Sequence, residues 1–198
     1  MRELLTPIER PRDKDMSTTT QTHLMTVEEF MNIDEEPNRH ELIKGELLTM
    51  PPPNPEHGLV MNNVAFLLTA YVRPHHLGKV ITGDAGFKLE SDPDTVLGPD
   101  VAFIRHERIA GISTQYFAGA PDLVVEIRSP GDRRGKVDAK ANMWLDAGAA
   151  SIWLINPKTR TVEVRKADGD KELLTVEDEL NGNDIIPGFR CRVAEIFD

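Results

Sequence analysis

The succession of elements in these 198 residues predicts an α+β (α/β-like) domain with a central mixed β-sheet flanked by helices. Three observations carry that reading. Short apolar runs with strand character recur between turn signals. Two longer stretches, over residues 57–73 and from Val137 towards Gly148, place apolar residues at helical spacing. The run Leu123-Val124-Val125-Glu126-Ile127 is apolar on both faces, as a doubly covered central strand requires.

The elements follow in order. Residues 1–24 hold Pro7, Pro11, mixed charges and the polar run STTTQT, with no hydrophobic period, so a flexible tail is expected before a single domain over 25–198. Thr26 followed by Glu29 is a capping-box pattern and starts a short helix. Leu42, Leu47 and Leu48 flank Lys44-Gly45, which predicts a β-hairpin over 40–50. Pro51, Pro52, Pro53 and Pro55 then impose an extended loop. Val60, Val64, Leu67, Leu68 and Tyr71 define the helix that Pro74 ends. Strands are expected around Lys79–Thr82, Gly86–Leu89, Val101–Ile104 and Leu123–Ile127. After a charged turn over 131–136, Val137, Ala141, Trp144 and Leu145 mark a helix that stops at Gly148. Ser151–Ile155 and Thr161–Arg165 complete a second hairpin. Residues 168–184 carry seven acids against one lysine and read as a solvated loop or exposed edge. The path from Leu123 through the helix to Ile155 fits a strand–helix–strand crossover, which is right-handed by rule.

Composition narrows the function. Lys plus Arg number 23 against 33 Asp plus Glu, a net charge of −10, which argues against a sequence-independent nucleic-acid coat while leaving room for a local basic groove. One cysteine, Cys191, excludes an intramolecular disulfide and a Cys-built zinc or iron–sulfur site. No run approaches the ~18 apolar residues of a membrane span, and the N-terminus lacks a secretory apolar region. A cytoplasmic protein is expected, with no membrane association and no protein partner inferable.

Three charged residues stand where a core pattern predicts none: Asp100 at a strand start, Glu126 within an apolar strand and Lys140 on a helix of apolar stripe. A carboxylate in a buried strand needs a cation, hydrogen bonds or a proton. Two carboxylates on neighbouring strands beside a lysine make a site for a divalent metal and an ammonium, the combination that phosphodiester hydrolysis uses. Asp100 and Glu126 would hold the ion, with the Ile127 backbone carbonyl as an extra ligand. Asp122 lies four residues before Glu126 on one strand, ~13 Å away by strand rise, so Asp100 is the better partner and Asp122 a strand-entry residue. Lys140 sits on the border of the apolar stripe, where a lysine can also snorkel to solvent.

With Pro99-Asp100 and Glu126-Ile127-Arg128, the chain resembles the PD-(D/E)XK nucleases. More specifically it resembles the Uma-two family of endonucleases with a restriction-endonuclease-like fold, through HELIKGELLTMPPPNPEHG, GPDVAF and GAPDLVVEIRSPGDRRGKVDAKANMWLDAGAASIWLINPKTRTVEVR, over about residues 26–196. The resemblance implies Mg²⁺- or Mn²⁺-dependent DNA cleavage. It assigns Asp100 and Glu126 to the two acidic positions and Lys140 to a lysine relocated from position 128, where Arg128 stands. It also matches Glu46 and His57 to a recurrent glutamate and histidine near the first hairpin. Arg128, Arg133 and Arg134 belong to a locally basic stretch that could meet substrate phosphates. A homodimer is expected if both strands are cut. The alternatives are a catalytically weakened nucleic-acid-binding or regulatory module on the same fold, and a toxin-like or mobile-element nuclease of narrow target.

Overall fold

A computed structural model describes residues 23–33 and 39–198. The tail expected over 1–24 therefore falls outside the described residues, except for His23 and Leu24. The elements are α1 (Val27–Met31), β1 (Arg39–Ile43), β2 (Glu46–Met50), α2 (Pro55–Val72), β3 (Gly78–Thr82), β4 (Phe87–Glu90), β5 (Thr95–Leu97), β6 (Val101–Arg105), β7 (Phe117–Ala118), β8 (Leu123–Ile127), α3 (Arg134–Asp146), β9 (Ser151–Asn156), β10 (Thr161–Lys166), β11 (Lys171–Leu174), β12 (Glu179–Asn181) and β13 (Arg190–Arg192).

The central sheet has six strands in the order β11-β10-β9-β8-β6-β3. Only β8 and β9 pair in parallel within it, joined across α3, and the other neighbours are antiparallel. Its two faces build two cores. Leu123, Val125 and Ile127 of β8 pack with Val60, Val64, Leu68 and Val72 of α2. Val124, Ala102 and Ile104 pack on the other face with Ala141 and Trp144 of α3 and with Phe87 and Leu97 of the second sheet. Each fully buried Val or Leu contributes roughly 1.5–3 kcal/mol relative to exposure, so this two-sided burial explains why β8 is apolar almost throughout. Glu126 shares the α3-facing side with Val124, since side chains alternate along a strand.

The structure differs from the single sheet expected. A second sheet of five strands, in the order β2-β1-β5-β4-β7, carries the first hairpin, and β12 and β13 form a separate ribbon. The three-residue β5 and two-residue β7 are too short to show a period in sequence. The hairpin turn Lys44-Gly45 has positive φ at both residues (50° and 77°), as a two-residue hairpin loop demands.

Three boundaries also move. α2 begins at Pro55, because Asn54 caps it by accepting the His57 N–H at 2.9 Å and proline suits the first helical position. α3 begins at Arg134, inside the stretch read as a charged turn, because an exposed first turn needs no apolar residue. The acidic segment 168–184 contains β11 and β12, an edge strand and half of a ribbon, where acids face solvent.

Candidate active site

β6 and β8 place the first two carboxylates. Val101 pairs with Val125, so one step outward sets Asp100 beside Glu126. Asp100 is 2% exposed, and its Oδ2 accepts the Ile127 backbone N–H at 2.7 Å. On the same oxygen, His57 Nε2 approaches to 3.3 Å from the first turn of α2. Among the described residues, Oδ1 meets the Arg39 guanidinium alone, at 3.5 Å.

Lys140 comes from the second turn of α3 and turns inward rather than snorkelling. Its Nζ lies 2.9 Å from Oε1 and 3.0 Å from Oε2 of Glu126, 2.8 Å from Glu41 Oε1 and 3.2 Å from the Gly98 carbonyl. Trp144, one turn further on, donates its indole N–H to Glu126 Oε1 at 2.8 Å. The Gly98 N–H donates to Glu41 Oε1 at 3.2 Å, so both polar atoms of Gly98 serve the cluster. A Cβ at Gly98 would lie 3.0 Å from the Asp84 carbonyl oxygen, which explains glycine at this close approach.

Glu41, Asp84 and Arg39 were not foreseen, and Glu46 is corrected. Glu46 stands exposed at the hairpin tip opposite Ile43, and no hydrogen bond or ion pair joins it to the cluster. Glu41 lies further down β1, is 2% exposed and is the hairpin carboxylate that contacts Lys140. β2 is the edge strand of its sheet and is exposed along most of its length, whereas β1 lies between β2 and β5. Adjacent Glu41 and Leu42, on opposite faces of β1, are both buried, which alternation along one hairpin strand does not announce. Asp84, on the loop before β4, pairs with Arg39, which thus bridges Asp84 and Asp100. A lone Gly-Asp turn carries no pattern that would have marked it.

Electrostatics follow from this crowding. Four carboxylates (Glu41, Asp84, Asp100 and Glu126) face two permanent cations, Arg39 and Lys140, together with His57. Burial, reinforced by Asp100 and Glu41, pushes Glu126 up to about 7 although the Lys140 ammonium pulls the other way. Burial acts to lower Lys140, but Glu126 and Glu41 outweigh it and hold the ammonium above its ordinary value. For Asp100, burial is overcome by the His57 contact and the Ile127 N–H, which hold it below the usual carboxylate range. His57 is raised in turn, the Asp100 carboxylate outweighing its burial. Burial raises Asp84 despite Arg39.

The donor set fits a hard divalent cation. Each oxygen of a carboxylate accepts about two hydrogen bonds. Asp100 Oδ2 and Glu126 Oε1 are each filled by two donors, leaving acceptor capacity on Asp100 Oδ1 and Glu126 Oε2. Carboxylate oxygens suit Mg²⁺ or Mn²⁺, and Mg²⁺ commonly takes one or two carboxylates and keeps several waters. Among the described residues no group of three or more His, Cys, Asp or Glu side chains forms a metal cage.

The expected basic rim is not gathered at the cluster. Arg134 extends along the outer side of α3 towards Asp138 and Glu163, at 3.7 and 3.9 Å. The Arg128 guanidinium folds onto the Asp132 carbonyl at 3.3 Å, and Arg133 is an exposed residue at the start of α3. Asp122 stands apart, accepting the Arg105 N–H at 2.9 Å and pairing with Arg108 at 3.2 Å.

A central mixed sheet flanked by helices in this way is a restriction-endonuclease-like fold. The same fold appears in a crystal structure described as "a putative nuclease belonging to DUF820" from Anabaena variabilis ATCC 29413. That structure is 21% identical, with a TM-score of 0.75 over 87% of this chain and 97% of the other. Residues 27–194 match the model of the Uma2 family, described as "Putative restriction endonuclease", and the chain belongs to that family. No curated protein matches it. Among the described residues no helix is long and apolar enough to cross a membrane.

Proposed function

We propose that this chain is an endodeoxyribonuclease that hydrolyses phosphodiester bonds at the Asp100–Glu126–Lys140 cluster with Mg²⁺ or Mn²⁺ held by Asp100 and Glu126. The observation that carries the reading is the meeting of Asp100 and Glu126 on adjacent strands with the Lys140 ammonium 2.9 Å from Glu126. The Ile127 carbonyl is the candidate third ligand, since its own N–H already binds Asp100.

When bound, such an ion supplies Lewis-acid stabilisation of the charge that builds on the phosphate oxygens. The remaining work belongs to the protein. A water oxygen forms a bond to phosphorus, one phosphorus–oxygen ester bond breaks, and the proton that the water loses is balanced by a proton taken up from solvent by the departing ester oxygen. Lys140 supports the attacking water or the phosphate charge. Its ammonium bridges Glu41 and Glu126, offsetting their mutual repulsion, and stabilises the developing phosphate charge. His57 holds Asp100 in one orientation. Arg39, partly exposed beside Asp84, is placed to receive a phosphate, for which a guanidinium fork is suited. Arg128, just past the end of β8, and Arg133 and Arg134, at the start of α3, serve as outlying phosphate contacts. Cleavage of both strands would pair two such sites across a two-fold axis in a homodimer, which sedimentation with and without DNA tests.

The deciding experiment is a cleavage assay on supercoiled plasmid and single-stranded DNA with Mg²⁺ or Mn²⁺, with Asp100→Ala and Lys140→Ala beside wild type. Metal-dependent cleavage that both substitutions abolish is the expected result. Cleavage that survives Asp100→Ala overturns the site. Metal-independent DNA binding without cleavage favours the binding-module reading.

A further inference from the structure

We propose that Trp144 is a positioning residue of this site: its indole N–H pins Oε1 of Glu126 and so presents Oε2 to a divalent cation. The inference rests on the metal reading above and extends it to a residue that apolar patterning assigns only to the core.

Trp144 is 0% exposed, and its ring stands edge-on to Phe87 at a centroid distance of 5.9 Å and 78°. Phenylalanine would fill such a place without the polar atom, and a buried indole N–H needs an acceptor. Here the acceptor is Glu126 Oε1 at 2.8 Å. Lys140 and Trp144 are four residues apart on α3, one turn, so both address the same carboxylate from one helix face. Lys140 reaches both oxygens, at 2.9 and 3.0 Å, and does not distinguish them. Trp144 reaches one. The difference between the two oxygens of Glu126 is therefore made by the indole, and packing against Phe87 fixes its direction. Partners that orient a metal-binding carboxylate in this way commonly matter about 10–100-fold for metal affinity.

The test is Mn²⁺ binding to the free protein, read from the electron paramagnetic resonance of unbound Mn²⁺ without DNA. Wild type is compared with Trp144→Phe and with protein carrying benzothienylalanine at position 144, which keeps the ring shape and replaces the N–H by sulfur. Both variants are expected to bind Mn²⁺ about 10–100-fold more weakly. Should Trp144→Phe fold poorly, the isosteric variant decides. Wild-type affinity in the benzothienylalanine protein overturns the proposal and leaves the metal site standing. Absence of Mn²⁺ binding in wild type, or binding unchanged by Asp100→Ala, overturns both. A second readout is the ¹⁹F spectrum of 5-fluorotryptophan-labelled wild type. Mg²⁺ is expected to move the Trp144 resonance and not that of Trp153, which stacks on Phe189 in the other core. A Trp144 signal that stays still while Mg²⁺ binds speaks against the proposal.

Discussion

Nζ of Lys140 lies 2.8 Å from Oε1 of Glu41, joining a residue of α3 to one of the first hairpin. The ammonium also holds Glu126, so three elements distant in sequence converge on one positive charge. The hairpin is thereby part of the site rather than an ornament of the fold.

Glu41→Gln removes the charge while keeping the shape. It should reduce metal-dependent cleavage by at least about 10²-fold, the range for losing a preorganised electrostatic partner. Glu46→Gln, at the exposed hairpin tip, should leave cleavage unchanged. Parallel initial-rate assays decide, and a reversed pattern would return the role to Glu46.

Lys140→Met leaves Glu41 and Glu126 facing each other without their shared cation. Removing one partner of a buried pair typically costs about 3–5 kcal/mol, and urea unfolding should show a loss of that order at neutral pH. Mg²⁺ should restore part of it, since a divalent ion replaces the missing charge. A stability equal to wild type would mean that the two carboxylates find another partner.

Arg165 anchors α3 from the neighbouring hairpin. Its buried guanidinium bonds Glu163 Oε1 at 2.6 Å and pairs with Asp138, two residues before Lys140. The Arg165 hydrogen bond holds Asp138 below its ordinary value, against the small effect of burial. A depressed carboxylate contributes stability above its unfolded pKa, near 3.8, and loses it as pH falls through the lower folded value. Arg165→Met should destabilise the fold at pH 7, by less than the about 1.5–3 kcal/mol of a fully buried charged hydrogen bond, because Asp138 is 37% exposed and screened by solvent. Its deficit relative to wild type should shrink in melts below pH 4. A deficit independent of pH would assign the loss to packing.

Cys191 is buried in the core beneath α2, and burial, with the nearby Glu195 and Glu179, pushes its thiol up to about 12. The native protein should react very slowly with a thiolate-selective disulfide reagent at pH 8 and rapidly once unfolded in urea. Because the folded state holds this proton more tightly, its contribution to stability is complete below pH 9 and declines as pH rises from there towards 12. Fast native labelling would contradict this burial.

Much of the site is legible along the chain because desolvation makes charge conspicuous in apolar strands. Glu126 interrupts four apolar neighbours in β8, and Asp100 opens β6 directly after Pro99. Lys140 is visible as a border residue, but its inward turn is decided by Glu41 and Glu126. Trp144 counts as core by spacing, and nothing local reveals its polar contact. The divided sheet and the short strands β5 and β7 escape because two or three residues carry no measurable period.

The sequence by itself determined the local elements. Their causes act over a few residues: the Thr26–Glu29 cap, the Lys44-Gly45 turn, the helical stripe of α2 and the apolar run of β8. Tertiary structure alone decided that Glu41 rather than Glu46 meets Lys140, that Arg39 bridges Asp84 and Asp100, and which oxygens of Asp100 and Glu126 retain acceptor capacity. Hydrogen bonds of about 3 Å between residues far apart in sequence depend on how sheets and helices stack, and alternation along a single strand cannot specify that stacking.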